Sequence, residues 1–244
     1  MEQYWVWLSS VEGIGVKRFY QLMSLYEDAR SVWDNVGPEM SFLGEKALNN
    51  LKNARTERYL YSLFMELEKK GIAAVTRLSS AYPSRLTTIF DPPPTLYVRG
   101  VFDLNAERAL AVVGSRHCSR DGKRAASEIS SALAREGVTI VSGMARGVDT
   151  AAHQGALEGA GRTIAVLGCG VDVVYPPENG PLAEKILETG GSIVSEYVPG
   201  TRPLAQHFPA RNRIISALSD GLLLVEAAKG SGALLPVDFA LEQG

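Results

Sequence analysis

The first 75 residues carry apolar side chains at intervals of three and four, the spacing that aligns them on one face of a helix. The series begins with Trp5, Leu8 and Val11, and it resumes after a Gly-Ile-Gly turn over 13–15. A later segment, 56–70, ends at Gly71, a residue that commonly follows a helix. The pattern therefore predicts a small all-helical domain over residues 1–75.

The turn between the first two predicted helices, Val11 to Gly15, resembles those of SAM-like and helix-hairpin-helix domains. Its glycines allow backbone amides to approach a phosphate group closely. A tight connection between two packed helices explains the same residues, and we favour that interpretation. Contact between this turn and DNA stays open as the alternative.

Residues 76–108 form a proline-rich connector, with Tyr82-Pro83 and a Pro-Pro-Pro run at 92–94. Proline fixes its own φ angle and disfavours the helical conformation of the residue before it, so these stretches are extended or turns. The run leads into a short apolar segment, 95–98, which Gly100 closes. We assign this segment as an edge strand.

From residue 109 onward, short apolar runs alternate with segments of helical period. The predicted strands are 109–113, 138–141, 163–167, 192–194 and 222–225. The predicted helices are 123–136, 149–158, 182–188, 212–218 and 238–243. Continuous apolar strands that alternate with helices are typical of a parallel sheet covered on both faces. Residues 109–244 therefore predict a Rossmann-like, doubly wound α/β domain with a mainly parallel sheet.

Glycine and small polar residues stand at the ends of four predicted strands. The segments are Gly114-Ser115-Arg116, Ser142-Gly143 with Arg146 close behind, Gly168-Cys169-Gly170, and Ser195-Glu196. Ligands of such folds bind beyond the carboxyl ends of the strands, where helix N-termini offer free amides. Arginine adds bidentate donors matched to phosphate oxygens. The sequence therefore predicts a phosphate-binding edge.

Sequence motifs of three common enzyme classes are absent. The chain has no GxGxxG dinucleotide fingerprint, no GK[ST] phosphate loop and no GxSxG nucleophile elbow. We therefore disfavour a nicotinamide-dependent enzyme, a P-loop ATPase and a serine hydrolase. Ser115 and Ser142 are interpreted as hydrogen-bonding turn residues, since no partnered base can be named for either.

The segment 206–215 is the most unusual stretch of the chain, because two arginines and an asparagine stand at the start of a predicted helix. Cations are unfavourable there unless an anion or a buried partner offsets them. Phe208, just ahead, offers a face for base stacking. Arg211 and Arg213 bind phosphate or hold a carboxylate such as Glu196 or Glu226, or one arginine does each.

His153 lies within the predicted helix 149–158, where it either packs in the interior or contacts a ligand. We favour a packed histidine, with Asp149 capping the helix. Cys118 and Cys169 provide neither a disulfide framework nor a paired-cysteine metal motif, so no metal or cofactor is predicted.

Composition limits the kind of partner. Hydrophobic residues make up 45% and charged residues 21% of the chain, the balance of a soluble globular protein. The net charge of −2 is spread evenly, so binding of nucleic acid through bulk charge is disfavoured and any polyanion site must be local. The chain shows no signal peptide and no apolar run of about 20 residues, so we expect a cytoplasmic protein without a membrane span.

Taken in order, these segments resemble the hallmarks of the DNA-processing protein DprA (Smf) family from about residue 80 onward, and a helical N-terminal domain is also typical of that family. The matching segments are Gly-Ser-Arg at 114–116, Ser-Gly-Met-Ala-Arg-Gly-Val-Asp at 142–149, Thr-Ile-Ala-Val-Leu-Gly-Cys-Gly at 163–170, Tyr-Pro at 175–176, Ser-Glu-Tyr at 195–197, Phe-Pro-Ala-Arg-Asn-Arg-Ile-Ile at 208–215, and Val-Glu-Ala at 225–227 with Ser-Gly at 231–232.

The resemblance implies a non-enzymatic protein that binds single-stranded DNA during natural transformation, protects it, and loads the RecA recombinase in place of single-strand binding protein. It also implies a homodimer through the Rossmann-like domain. Arg116 would be a main phosphate contact. The implied DNA-binding residues are Ser115, Arg116, Gly143, Arg146, Arg162, Phe208, Arg211, Asn212 and Arg213.

Two departures from the family pattern lie near the end of the chain. Leu234-Leu235-Pro236 stands where family members carry a Thr-like residue, so we expect the last helix to start later or to be kinked. Family members normally continue past the position of Gly244 with another strand and often a small winged-helix module. Loss of that strand is expected to leave a sheet edge prone to association.

The alternative function is that of a phosphoribohydrolase-like enzyme acting on nucleoside monophosphates, since such enzymes have a similar fold with glycine-rich strand ends. Their Pro-Gly-Gly-x-Gly-Thr-x-x-Glu motif is missing, and Gly230-Ser231-Gly232 is a poor relic of it. Glu196 and Glu226 are the only candidate carboxylates at strand ends. A purely structural scaffold would leave the clustered arginines unexplained.

Overall fold

The protein, seen in a computed structural model, is described over residues 1–101, 104–227 and 234–243. Its N-terminal part is helical: α1 Glu2–Ser10, α2 Val16–Leu25, α3 Ala29–Asp34, α4 Glu45–Ala54 and α5 Glu57–Lys69. Strands and helices follow in the order β1 Ala73–Thr76, β2 Thr95–Gly100, β3 Ala109–Val113, α6 Arg120–Arg135, β4 Thr139–Ser142, α7 Val148–Glu158, β5 Thr163–Val166, α8 Gly180–Glu188, β6 Ser192–Ser195, α9 His207–Ala217, β7 Gly221–Leu224 and α10 Leu235–Gln243.

The described strands form one seven-stranded sheet in the order β1-β2-β6-β5-β4-β3-β7. Strands β3 to β7 are parallel to one another, whereas β2 pairs antiparallel with both β1 and β6. The segment 95–98, expected as an edge strand, therefore lies inside the sheet, because β1 pairs with its outer side. The chain moves outward from β3 to β6 and then returns to place β7 on the other side of β3. This reversal creates a topological switch point, where ligand crevices open at the carboxyl ends of the strands.

Alternation along β3 shows that both faces of the sheet are covered. Ala111 packs in the same cluster as Ile214 of α9, while Val112 packs with Ala126 of α6 and Ala151 of α7. Successive side chains of a strand point to opposite faces, so α9 lies on one face and α6 and α7 lie on the other. The predicted Rossmann-like, mainly parallel fold is confirmed.

The helical part is packed directly against the sheet. The Trp5 indole Nε1 donates to the Pro94 carbonyl at 2.6 Å, and the Ser9 and Thr95 hydroxyls are 2.7 Å apart. Val6 of α1 belongs to the same apolar cluster as Tyr97 of β2. The predicted domain boundary at residue 75 falls within strand β1, which the helical pattern did not indicate.

The turn between α1 and α2 packs against the start of α4. Gly13 has a φ angle of +93°, and a Cβ there would lie 3.1 Å from the Ala47 Cβ atom. The Arg18 guanidinium and the Asn50 amide donate to the carbonyls of Gly13 and Glu12 at 2.7 and 3.0 Å. Because glycine adopts positive φ without strain and leaves room for α4, the tight inter-helix turn explains these residues.

Two helices near the C-terminus begin earlier than the sequence predicts. Helix α9 starts at His207 rather than residue 212, and α10 starts at Leu235 rather than residue 238. Pro209 and Pro236 both fall in the first turn of their helix, where the missing N–H has no intrahelical partner to lose. The expectation of a later start for the last helix is therefore wrong.

None of the helices within the described ranges combines the length and the apolar character needed to cross a membrane.

Candidate nucleic-acid interface

A cavity of about 480 Å³ opens at the carboxyl edge of the sheet, beside the switch point at β3. Its wall consists of Val113, Gly114, Ser115, Arg116, His117, Ala145, Asp149, Phe208, Pro209, Arg211, Asn212, Ile215, Leu235 and Pro236. The loops after β3 and β4 therefore face the first turns of α9 and α10 across one cleft. Five of the predicted binding residues line it: Ser115, Arg116, Phe208, Arg211 and Asn212.

The loop after β3 is held in place by backbone contacts. The Ser115 N–H donates to the Glu226 carbonyl at 2.7 Å, and the Ser115 carbonyl accepts from the Val148 N–H at 3.2 Å. A Cβ on Gly114 would lie only 2.7 Å from the Val148 side chain, so glycine is required there. The Ser115 hydroxyl accepts from the His117 N–H at 3.1 Å, as expected of a turn residue.

Arg116 presents its cation at the mouth of the cavity. Its side chain is exposed, and its guanidinium lies 5.4 Å from the centre of the Phe208 ring. Within the described ranges it forms neither an ion pair nor a hydrogen bond. A guanidinium stacked on an aromatic face keeps its donors free, so Arg116 is available to a phosphate.

Arg211 is buried on the cavity wall without a carboxylate in direct contact, as far as the described residues show. Its guanidinium donates to the Gly143 carbonyl at 2.7 Å, to the Val166 carbonyl, and through Nε to Asn212 Oδ1 at 3.2 Å. A Cβ on Gly143 would collide with this guanidinium. Gly143 is thus explained by the close approach of Arg211, which carries positive charge into the interior of the site.

Asp149 balances part of that charge. It is buried at the start of α7, where one carboxylate oxygen accepts from the Ala145 N–H at 3.3 Å. Burial raises the pKa of this carboxyl group, while the charges of Arg211 and Arg116 and backbone donors act in the opposite direction. Burial likewise lowers the pKa of Arg211. The cavity thus holds two arginines against one carboxylate.

Arg213, in contrast, is engaged inside the protein. Its two terminal nitrogens donate to the two oxygens of Glu196 at 2.8 and 2.7 Å, and its Nε lies 2.9 Å from Asp91 Oδ1. The Glu196 charge raises the pKa of Arg213 against the effect of burial. Of the two alternatives for these arginines, Arg213 holds a carboxylate, whereas Arg211 faces the cavity.

Arg146 and Arg162 lie outside the cavity wall. Arg146 is exposed on the neighbouring loop and pairs with Glu178, each side chain being 52% exposed. Arg162 precedes β5 at the amino edge of the sheet, and its carbonyl accepts from the Ile140 N–H. The structure thus brings Arg146 near the other predicted residues and places Arg162 at the opposite edge.

The carboxylates of the alternative enzyme both have internal partners. Glu196 is held by Arg213, and the Glu226 side chain accepts from the Ser119 N–H at 3.0 Å and from the Ser119 hydroxyl at 2.7 Å. Glu226 therefore occupies the anion-binding N-terminus of α6. The Gly230-Ser231-Gly232 segment lies outside the described residues.

His153 and Cys169 are buried away from the cavity wall. The His153 Nδ1 lies 2.7 Å from the Thr163 hydroxyl, and burial lowers the pKa of this histidine to about 3. The packed-histidine interpretation is confirmed. Burial raises the pKa of the Cys169 thiol to about 11, so it is not a reactive thiolate.

Sequence reasoning missed several cavity residues, namely His117, Ala145, Pro209, Ile215, Leu235 and Pro236. The interpretation of Asp149 as the cap of its helix is wrong, because Gly147 is the capping residue of α7 and Asp149 lies in the first turn. The position of Asp149, six residues after Gly143 at the start of the helix that follows β4, was the available signal for its place in the site. No local pattern indicates that the start of α10 folds back over the cleft, because that approach depends on tertiary packing.

Fold and cavity together define a doubly wound α/β protein with a cationic, aromatic-edged cleft at its switch point. Residues 73–244 match the family model described as DNA recombination-mediator protein A. The chain is 38% identical to protein Smf of Synechocystis sp. over 99% of its own length and 62% of that protein. The chain therefore spans less than two thirds of this relative.

Two solved structures are similar over most of the chain. The X-ray structure of Streptococcus pneumoniae DprA has a TM-score of 0.82 and 33% identity, covering 100% of this chain and 84% of that one. Helicobacter pylori DprA, whose structure concerns a single-stranded DNA binding mode, has a TM-score of 0.64 and 31% identity over 70% of this chain and 77% of that one. This chain belongs to the DprA family of DNA recombination mediators.

Proposed function

We propose that this protein binds single-stranded DNA at the carboxyl-edge cavity, mainly through phosphates, and that it acts without catalysing a reaction. The observation that carries the proposal is the pair of cavity arginines: Arg116 stacked on Phe208 at the mouth, and Arg211 buried behind it. Single-strand binding proteins combine cationic grooves with aromatic faces for the bases. The DNA-binding mode described for the Helicobacter pylori relative supports this proposal.

The proposed biological role follows from the family. The protein would protect incoming single strands during natural transformation and load RecA recombinase onto them, replacing single-strand binding protein. A homodimer formed through the Rossmann-like domain would carry out this role. Arg162 lies at the amino edge of the sheet. It would contact the DNA only if the strand continued from the cavity around the sheet to that edge.

The test is fluorescence anisotropy with a labelled single-stranded oligonucleotide, competed by duplex DNA and by nucleoside monophosphates across a salt series. Arg116→Glu is expected to weaken single-strand binding by about 10- to 100-fold, since a charge-assisted hydrogen bond is lost and a like charge faces phosphate. The slope of log affinity against log salt should also fall by about 0.7 for each phosphate contact removed.

Arg135→Glu is the matched control. Arg135 is exposed in the last turn of α6, so this substitution makes the same change of charge at a position away from the cavity. Equal losses for both variants would indicate bulk charge rather than a site. Unaltered binding by Arg116→Glu would show that this arginine is not part of the interface. Release of free base from a nucleoside monophosphate would contradict the proposal and indicate an enzyme instead.

A further inference from the structure

Two aromatic rings meet at the rim of the cavity. Tyr175, in the segment after β5, is 38% exposed, and its ring centre lies 5.5 Å from that of Phe208. Phe208 in turn carries the Arg116 guanidinium. Tyr175 is not part of the cavity wall, so the aromatic surface continues outward from the cavity onto the protein surface.

Arg146 lies beside the same surface. The next residue, Gly147, packs on the backbone of the Arg116 loop so closely that a Cβ would collide with the Ser115 carbonyl. The Arg146 Nε donates to Glu178 Oε1 at 2.5 Å, and Glu178 stands three residues after Tyr175 in the same segment. This ion pair therefore brings Arg146 to the segment that carries Tyr175. Four side chains thus alternate along the rim: Arg116, Phe208, Tyr175 and Arg146.

We propose that Tyr175 and Arg146 form a second nucleotide subsite, in which a base stacks on Tyr175 and the adjoining phosphate pairs with Arg146. The inference rests on the proposed function, and it extends the strand outward from the cavity. Base–aromatic stacking tolerates every base, because each has a π face. The guanidinium binds phosphate through bidentate hydrogen bonds.

Glu178 competes with DNA for this subsite. Its carboxylate pairs with Arg146, and both side chains are half exposed, so solvent screening makes the pair weak. The hydrogen bond from Arg146 lowers the pKa of Glu178, which keeps the carboxylate ionised and repulsive to phosphate. A phosphate that binds Arg146 therefore displaces the Glu178 carboxylate. The affinity of this subsite depends on how much stronger the Arg146–phosphate pair is than the Arg146–Glu178 pair.

The test compares an oligothymidylate of about 4 nucleotides with one of about 20, a range that spans the site sizes of single-strand binding folds. Tyr175→Ala is expected to weaken binding of the longer oligonucleotide by about 5- to 100-fold, the loss for one base–aromatic stack, with a much smaller effect on the shorter one. Tyr175→Phe keeps the ring and should bind as the unaltered protein does.

Glu178→Gln frees Arg146 and is expected to strengthen binding of the longer oligonucleotide by about two- to fivefold, a gain that Arg146→Gln should abolish in the double variant. The subsite is overturned if Tyr175→Ala binds the longer strand as well as the unaltered protein, or if Tyr175→Phe is as weak as Tyr175→Ala. If Arg116→Glu loses binding and Tyr175→Ala does not, only the subsite is rejected. If neither variant loses binding, the proposed function is rejected.

Discussion

At the scale of single residues, neighbouring arginines have opposite tasks. Arg211 and Arg213 are two positions apart on α9, so their side chains leave the helix in different directions. Arg211 faces the cavity and donates to backbone carbonyls, while Arg213 is bound bidentately by Glu196. The residue types alone left both roles open for both arginines, since a guanidinium suits phosphate and carboxylate equally.

Asp149 is expected to make the proposed single-strand binding depend on pH. It is the one acidic side chain on the cavity wall formed by the described residues, and its pKa is already raised by burial. A phosphate placed in the cavity adds negative charge and raises the pKa of Asp149 further, so binding takes up protons. Affinity for single-stranded DNA should therefore increase as the pH is lowered toward the raised pKa of Asp149.

Anisotropy titrations in the Asp149→Asn variant check this, because the amide oxygen can still accept from the Ala145 N–H while the proton linkage is lost. The variant should bind with an affinity that changes little with pH. The measurements are made in a His117→Gln background, since His117 also lines the cavity. A pH dependence that survives in Asp149→Asn would contradict this role.

At the scale of elements, α9 positions the site because it is anchored on three sides. Arg213 joins it to Glu196 at the end of β6 and to Asp91 in the proline-rich connector, and Gln243 of α10 donates to the Arg213 carbonyl at 3.2 Å. Helix α9 in turn holds Phe208 and Arg211 on the cavity wall. The buried ion pair therefore acts on the site through the helix.

Arg213→Ala is expected to lower the free energy of unfolding by about 3–5 kcal/mol, because it leaves the Glu196 carboxylate buried and unpaired. Urea denaturation measures this loss. Arg124→Ala, which removes a surface arginine with 67% side-chain exposure, should cost less than about 1 kcal/mol. A loss of unfolding free energy below that of Arg124→Ala would contradict the structural role of Arg213.

At the scale of the whole molecule, one apolar cluster joins the helical part to the sheet. Val6 of α1 and Leu67 of α5 pack in the cluster that contains Tyr97 and Ile193 of the sheet. Polar contacts across the same boundary, such as the bond from Trp5 to the Pro94 carbonyl, reinforce the packing. We therefore expect the two parts to unfold together, although the sequence divides them at residue 75.

Val6→Ala tests this coupling, with an expected loss of about 1–3 kcal/mol from lost burial and the cavity left behind. All three tryptophans, Trp5, Trp7 and Trp33, lie in the helical part, so their fluorescence reports mainly on that part, while far-ultraviolet circular dichroism reports on the whole chain. The two signals should change at the same urea concentration. Separate transitions would show independent domains, and Val101→Ala, at an exposed position, serves as the control.

The order of strands and helices after residue 109 was predictable from sequence, because each strand is a continuous apolar run and each helix has its own period. The strand-end residues Gly114 to Arg116 were predictable as site residues for the same reason, since the carboxyl ends of parallel strands meet at one edge. Strand β1 was not, because four residues of mixed burial carry too short a pattern.

Sequence by itself thus determined the class of fold, the edge where the cavity lies and the presence there of arginines suited to phosphate, since these follow from local period and from strand direction. Tertiary structure alone decided which arginine faces the cavity, that Glu178 holds Arg146, that Tyr175 meets Phe208, and that Arg162 lies at the other edge. These are contacts between residues distant in the chain, and their geometry depends on packing that no local pattern encodes.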